Sequence, residues 1–124
     1  MQKLIFIFII LISNMAKAEF FSNISDIIEN NNDRLSYGVS VTDFDKDGKY
    51  EFIVTGFGYS NLALSYKNGK LINTIEDPIF VDEDRNTIGV SACDINQDGF
   101  EEIYFLNTDT YSGEKKYSDR LLDN

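Results

Sequence analysis

Between residues 37 and 75 the apolar positions recur at every second residue, not at every third or fourth. Val39 and Val41 alternate with Ser40 and Thr42, which predicts a strand ending at Asp43. "EFIVTG" from Glu51 is β-branched and aromatic and predicts another. "NLALSY" and "KLINTI" flank Lys67-Asn68-Gly69, and Asn-Gly is the strongest short hairpin signal. Four strands are therefore expected between Tyr37 and Ile75. Upstream, Ile24, Ile27 and Ile28 have helical spacing, but Asn30-Asn31-Asn32 interrupts it, so residues 19–36 read as a lead-in with one helical turn. "EDPIFVDEDRN", with the chain's one proline at Pro78, reads as a connector.

The pattern then restarts. "GVSVTDFDKDGKYEFIV" from Gly38 aligns without a gap on "GVSACDINQDGFEEIYF" from Gly89, at an offset of 51 residues from Asp43 to Asp94. A repeat near this length is the signature of a solenoid, propeller or array. Four strands per unit, with no helix between them, select propeller blades. "EIYFL" has Ile103 and Phe105 on one face and Tyr104 and Leu106 on the other, so it needs a cover on each side from neighbouring blades, and the incomplete second blade is expected to leave one of its faces uncovered here. The organisation expected is all-β: a lead-in, a first blade over residues 37–86 and a second, truncated blade over residues 87–124. A propeller closes with roughly 4–8 blades. The chain supplies about one and a half, which reads as an amino-terminal fragment of a longer protein.

The first residues fall outside this scheme. Lys3, the apolar run Leu4 to Ile12 and the small-x-small Ala16-Lys17-Ala18 occur in the order of a secretory signal peptide, expected to end at residue 18. The run is short of the ~20 apolar residues of a membrane span, so no membrane insertion is expected after cleavage. In a secreted chain Asn23-Ile24-Ser25 becomes an N-glycosylation acceptor at Asn23. Secretion also bears on Cys93, the single cysteine. No internal disulfide can form, and its apolar surroundings predict burial.

Charge narrows the partners. The formal net charge is −10, and −12 once Lys3 and Lys17 leave with the signal peptide. Such a surface repels nucleic acid and anionic lipid and attracts cations or basic partners. There is no histidine, which removes histidine acid–base chemistry and histidine metal ligation from this chain.

The acids cluster in two equivalent stretches, "DFDKDGKYE" from Asp43 and "DINQDGFEE" from Asp94. Oxygen-bearing side chains at positions 1, 3 and 5 of a tight loop converge on one point. A glycine at position 6 permits the turn. The first loop offers Asp43, Asp45 and Asp47 before Gly48; the second offers Asp94, Asn96 and Asp98 before Gly99. Position 7 contributes a backbone carbonyl, from Lys49 or Phe100, and position 9 a carboxylate, Glu51 or Glu102. Calcium takes 6–8 oxygen ligands in flexible geometry and suits such a set. An EF-hand would need a carboxylate at position 12, where Val54 and Phe105 stand within strands. Zinc prefers cysteine and histidine, and magnesium a stricter octahedron. The competing reading is an ordinary β-turn, since Asp, Asn and Gly dominate turns. Two loops in register, both acidic at position 9, favour the metal.

Asp-x-Asp/Asn-x-Asp-Gly-x-x-acid between strands resembles the calcium loop of FG-GAP and VCBS repeats, as found in integrin-type seven-bladed propellers. "YGVSVTDFDKDG", "YKNGKL", "IGVSACDINQDG" and "EEIYFLNTDTYSG" carry the resemblance over about Tyr37 to Leu122. It implies a secreted calcium-binding propeller with further blades. Many integrin-type loops end in Asp at position 9, whereas Glu51 and Glu102 are one carbon longer.

The function expected is a calcium-stabilised extracellular module that presents loops to a matrix or cell-surface protein. The alternative is part of a propeller enzyme whose active site lies in other blades. Tyr111, Ser112 and Lys115 read as solvated loop residues and not as a catalytic set. A calcium sensor would need an opening helix pair, which the pattern lacks.

Overall fold

The computed structural model describes residues 20–108 and 116–123. The signal peptide expected over residues 1–18, and Tyr111, Ser112 and Lys115, lie outside them. Among the described residues seven strands form two antiparallel sheets. The first has β1 (Val39–Thr42), β2 (Glu51–Val54), β3 (Leu62–Lys67) and β4 (Lys70–Asn73), neighbours in chain order. The second has β5 (Asn86–Cys93), β6 (Glu102–Thr108) and β7 (Arg120–Leu122), again in order. The all-β architecture of successive antiparallel sheets read from the sequence is the one observed. The second unit shows three strands among the described residues. The β3–β4 hairpin turns at Asn68 and Gly69, with φ of 53° and 82°, the doubly left-handed turn that Asn-Gly favours.

The lead-in makes one 3₁₀ turn over Ser25–Ile27, then bridges Ile28 to Leu71 on the β4 edge. The connector is more structured than its composition indicated. Asp77 accepts a hydrogen bond from the Ile79 N–H and caps a four-residue helix, α1 (Pro78–Val81). Proline at a first helical position loses no bond, because that N–H has no partner inside a helix. Asp82, at φ 49°, ends the turn. Its carboxylate is buried and pairs with Arg85 and, at 3.1 Å, with Arg120 Nε; Asn107 Nδ2 donates to it at 3.3 Å. The connector is thereby fastened to β6 and β7.

α1 also delivers Phe80 to the space between the sheets. Phe80 meets Phe105 edge to face, with ring centroids 5.3 Å apart. With Ile53 and Ala63 of the first sheet and Ile103 of the second, these rings form the core.

The sheets meet through one face each, and the two faces are not equivalent; on the opposite face of the first sheet Leu64 is buried beside the lead-in. Phe52 and Ile103 occupy the same position of the repeat, yet Phe52 is 43% exposed and Ile103 4%. One residue on, Ile53 is 0% exposed and Tyr104 41%. A sandwich related by a two-fold axis would cover the same face of both units. Opposite coverage means that the second unit follows the first head to tail, as successive blades do. It also meets one expectation and corrects another. "EIYFL" is covered on the Ile103 and Phe105 side alone, leaving Tyr104 and Leu106 exposed, the uncovered face expected of an incomplete second blade. Cys93 is exposed and not buried. The core face of β5 is the one carrying Val90 and Ala92, opposite Phe105 and Ile103, and Cys93 follows Ala92 onto the other face.

Candidate metal centre

Both acidic loops join the first two strands of their sheets, so each is held at its ends by ladder hydrogen bonds. Their internal wiring is the same. In the first loop the Asp47 N–H lies 3.0 Å from Asp43 Oδ1 and 3.2 Å from Asp45 Oδ1, the Gly48 N–H donates to Asp43 Oδ2 at 2.9 Å, and the Lys49 N–H donates to Asp47 Oδ1 at 2.9 Å. In the second the Asp98 N–H lies 3.1 Å from Asp94 Oδ1 and 2.9 Å from Asn96 Oδ1. Gly99 and Phe100 donate to Asp94 Oδ2 and Asp98 Oδ1, both at 2.9 Å. Gly48 and Gly99 have φ of 84° and 93°, the left-handed turn that position 6 was expected to need. Position 4 is left-handed too, at Lys46 and Gln97, with φ of 61° and 64°. Residue type at these two positions carries no signal for that conformation.

In the first loop Asp43, Asp45 and Glu51 each turn one carboxylate oxygen to within 4.8 Å of the others. Asp47 is turned aside: its Oδ2 pairs with Lys49 Nζ at 2.7 Å, an exposed contact. Hydrogen bonding to Lys49 holds the Asp47 carboxyl below its usual range and the Lys49 ammonium above its own. Glu51 is 2% exposed, and its Oε2 is buried with no hydrogen-bond partner among the described residues. Burial, and next the charge of Asp45, push its carboxyl above the ordinary glutamate value, against a backbone hydrogen bond from Phe44. An unpaired carboxylate oxygen in such a place is costly, and a cation facing Asp43, Asp45 and Glu51 would remove that cost. Thr42, opposite Glu51 in the β1–β2 register, adds a second buried oxygen without a partner.

The second loop satisfies its glutamate internally. The Ile95 N–H donates to Glu102 Oε2 at 2.8 Å, and Asn96 Nδ2 donates to Glu102 Oε1 at 2.7 Å and to Asp98 Oδ2 at 3.1 Å. The three carboxylates whose oxygens come within 4.8 Å here are Asp98, Glu102 and Asp123, the last just beyond β7. Asp123 is far from the loop in sequence and forms no part of its motif, so spacing could not have found it. Asp94 points its oxygens to backbone N–H groups instead. The loops are neighbours in space, with Lys46 Nζ 3.7 Å from the centre of the Phe100 ring.

Asn23 is exposed, and its Oδ1 accepts hydrogen bonds from the N–H and the hydroxyl of Ser25. On the open face of the second sheet, Tyr104 donates to Asp119 Oδ2 at 2.8 Å, which holds the phenol above its ordinary value.

Comparison with known proteins places these loops in context. The FG-GAP-like repeat profile matches residues 43–105, from the first residue of the first acidic loop into β6. Cartilage acidic protein 1 from Xenopus tropicalis is 47% identical over 103 residues, and the human and mouse proteins of that name are 46% identical over 103. Each alignment covers 76% of this chain and 16% of the relative, so the chain spans about a sixth of their length. Neither the profile nor these names denotes an enzyme class.

Proposed function

Because the chain belongs to the FG-GAP-like repeat family, we propose that it acts as a secreted, calcium-stabilised module of an extracellular-matrix protein. One observation carries the calcium reading: the buried Glu51 carboxylate, whose Oε2 has no hydrogen-bond partner among the described residues and which turns one oxygen to within 4.8 Å of Asp43 and Asp45. The ligand set proposed for the first loop is Asp43, Asp45, Asp47, the Lys49 carbonyl and Glu51. That for the second is Asp94, Asn96, Asp98, the Phe100 carbonyl and Glu102. Bound calcium would supply structural charge neutralisation. The chain's own part is to fix the oxygens through N–H donors at positions 5, 6 and 7 and to hold position 9 on a strand. Asp47 would exchange its Lys49 contact for the ion, a small loss because exposed ion pairs contribute ~0–1 kcal/mol.

The names of the relatives support a matrix or cell-surface protein as partner, and the acidic surface supports a basic patch on it. Secretion and a glycan on Asn23 belong to the same proposal, supported by the sequon and its exposure. Calcium titration calorimetry on the full chain tests the metal reading. Two sites are expected, with affinities of ~10⁻⁴–10⁻³ M as in other extracellular modules. Asp43→Ala should remove one of them and Asp94→Ala the other. Unchanged binding in both variants, or no binding at millimolar calcium, would leave the loops as plain turns.

A further inference from the structure

Two buried oxygens at the first acidic loop have no hydrogen-bond partner among the described residues, and the ligand set above uses one of them. Glu51 Oε2 is the first; the hydroxyl of Thr42, the residue just before the loop, is the second. Thr42 is 0% exposed and Glu51 2%. The two are directly paired in the β1–β2 register, so their side chains leave the sheet on the same face, with Cβ atoms ~4.5–5.5 Å apart. A hydroxyl can donate to a carboxylate, yet these two are not joined. Bulk water does not reach Thr42, because β1 lies against β5; near the start of β1 a Cβ on Gly38 would stand 2.9 Å from the Gly89 Cα, so the sheets touch backbone to backbone. An unpartnered hydroxyl beside an unpartnered carboxylate oxygen is costly on both counts. A cation that both oxygens face removes both costs.

The supply of oxygens points the same way. The first-loop set has four carboxylates and one carbonyl, and calcium takes 6–8 oxygens. Asp45, Asp47 and Glu51 each keep one oxygen engaged by a backbone N–H, from Asp47, Lys49 and Phe44, so each has one oxygen left for an ion. The second unit acts as the control. It has Cys93 in place of Thr42 and Glu102 in place of Glu51. There both glutamate oxygens are bonded, and the neighbour is a free thiol, a soft group that a hard cation such as calcium does not select. The orphaned hydroxyl thus occurs where the glutamate is orphaned too.

We infer that Thr42 Oγ1 is a further oxygen ligand of the first-loop ion, a role that no position of the loop motif assigns and that rests on the calcium reading above. The hydroxyl is neutral, so it adds an oxygen without adding to the crowded charge of Asp43, Asp45 and Glu51. It comes from β1 and not from the loop, and it ties the ion to the face of the first sheet that meets the second.

The full chain carrying Asp94→Ala, which leaves the first site alone, is titrated with calcium by calorimetry and with terbium by luminescence. Terbium decay rates in light and heavy water count the water molecules on the bound ion. Thr42→Val, similar in shape and without the hydroxyl, should weaken both ions roughly tenfold, as expected when a charged group loses one partner, and should add one water to bound terbium. Thr42→Ser, which keeps the hydroxyl, should bind as the parent does. In chelator Thr42→Val should melt no lower than the parent, because it removes a buried hydroxyl that has no partner. Unchanged affinity and water count in Thr42→Val, a loss that Thr42→Ser shares, or a lower melting temperature of Thr42→Val in chelator would overturn the ligand role and leave the calcium reading standing. A parent that binds neither ion at millimolar concentration would overturn both.

Discussion

The two acidic loops share a backbone and differ in one oxygen. Both fold the same N–H groups onto the same Asp positions, and both end in a buried glutamate. Glu102 is satisfied by Ile95 and Asn96, whereas Glu51 keeps one oxygen without a partner. The cause is a single substitution at position 3. Asn96 has an N–H₂ to donate; Asp45 adds a second negative charge beside Glu51. Equal loop geometry therefore coexists with unequal need for a cation. The first loop depends on the ion for its electrostatics, while the second is closed by its own side chains.

Calcium removal acts on both loops at once and gives the broadest expected effect. At millimolar calcium and the affinity expected above, each site contributes about 0.4–1.4 kcal/mol to stability through mass action. Chelation should lower the melting temperature and accelerate amide exchange at Asp47 and Gly48 more than at Asp98 and Gly99. Equal acceleration would break the contrast.

A pair of isosteric substitutions probes it at the position 9 side chains. In chelator, Glu51→Gln should be neutral or stabilising by up to ~1 kcal/mol, because it removes a buried charge. Glu102→Gln should destabilise by about 1–3 kcal/mol, because an amide N–H₂ replaces one of two oxygens that both accept hydrogen bonds. Urea unfolding reads both; opposite signs are expected, and added calcium should turn Glu51→Gln into a loss. The smallest effect is expected for Lys46→Ala, which removes the contact with Phe100 that joins the loops. An exposed cation–π pair contributes ~0.5–1 kcal/mol, and a double-mutant cycle with Phe100→Leu isolates it.

The strands of the first unit were legible because Val39, Val41 and the residues around Asn68-Gly69 carry local signals: alternation and a turn dipeptide. The loops were legible because their oxygens recur at fixed spacing and Gly48 and Gly99 fall where the backbone turns left-handed. What alternation cannot say is which face is covered. It separates Phe52 from Ile53 and Ile103 from Tyr104, but coverage is set by the neighbour, and equivalent residues have their neighbours on opposite sides. Cys93 was misjudged for that reason. Asp123 escaped because a third strand brings it to the second loop, and α1 because its cue was the pair Asp77-Pro78 and not periodicity.

The glycine contact also sets a dimension. Gly38 and Gly89 bring the two sheets together backbone to backbone where β1 meets β5, while elsewhere the Phe80 ring stands between the sheets. Each unit is therefore a wedge, thin where glycine meets glycine and thick where the aromatic ring is. The taper of a wedge determines how many fit around a circle. Gly38→Ala would thicken the thin edge, flatten the angle between units and enlarge the circle they describe. A single methyl group thus acts on curvature, the property by which an arc of repeats comes to close on itself.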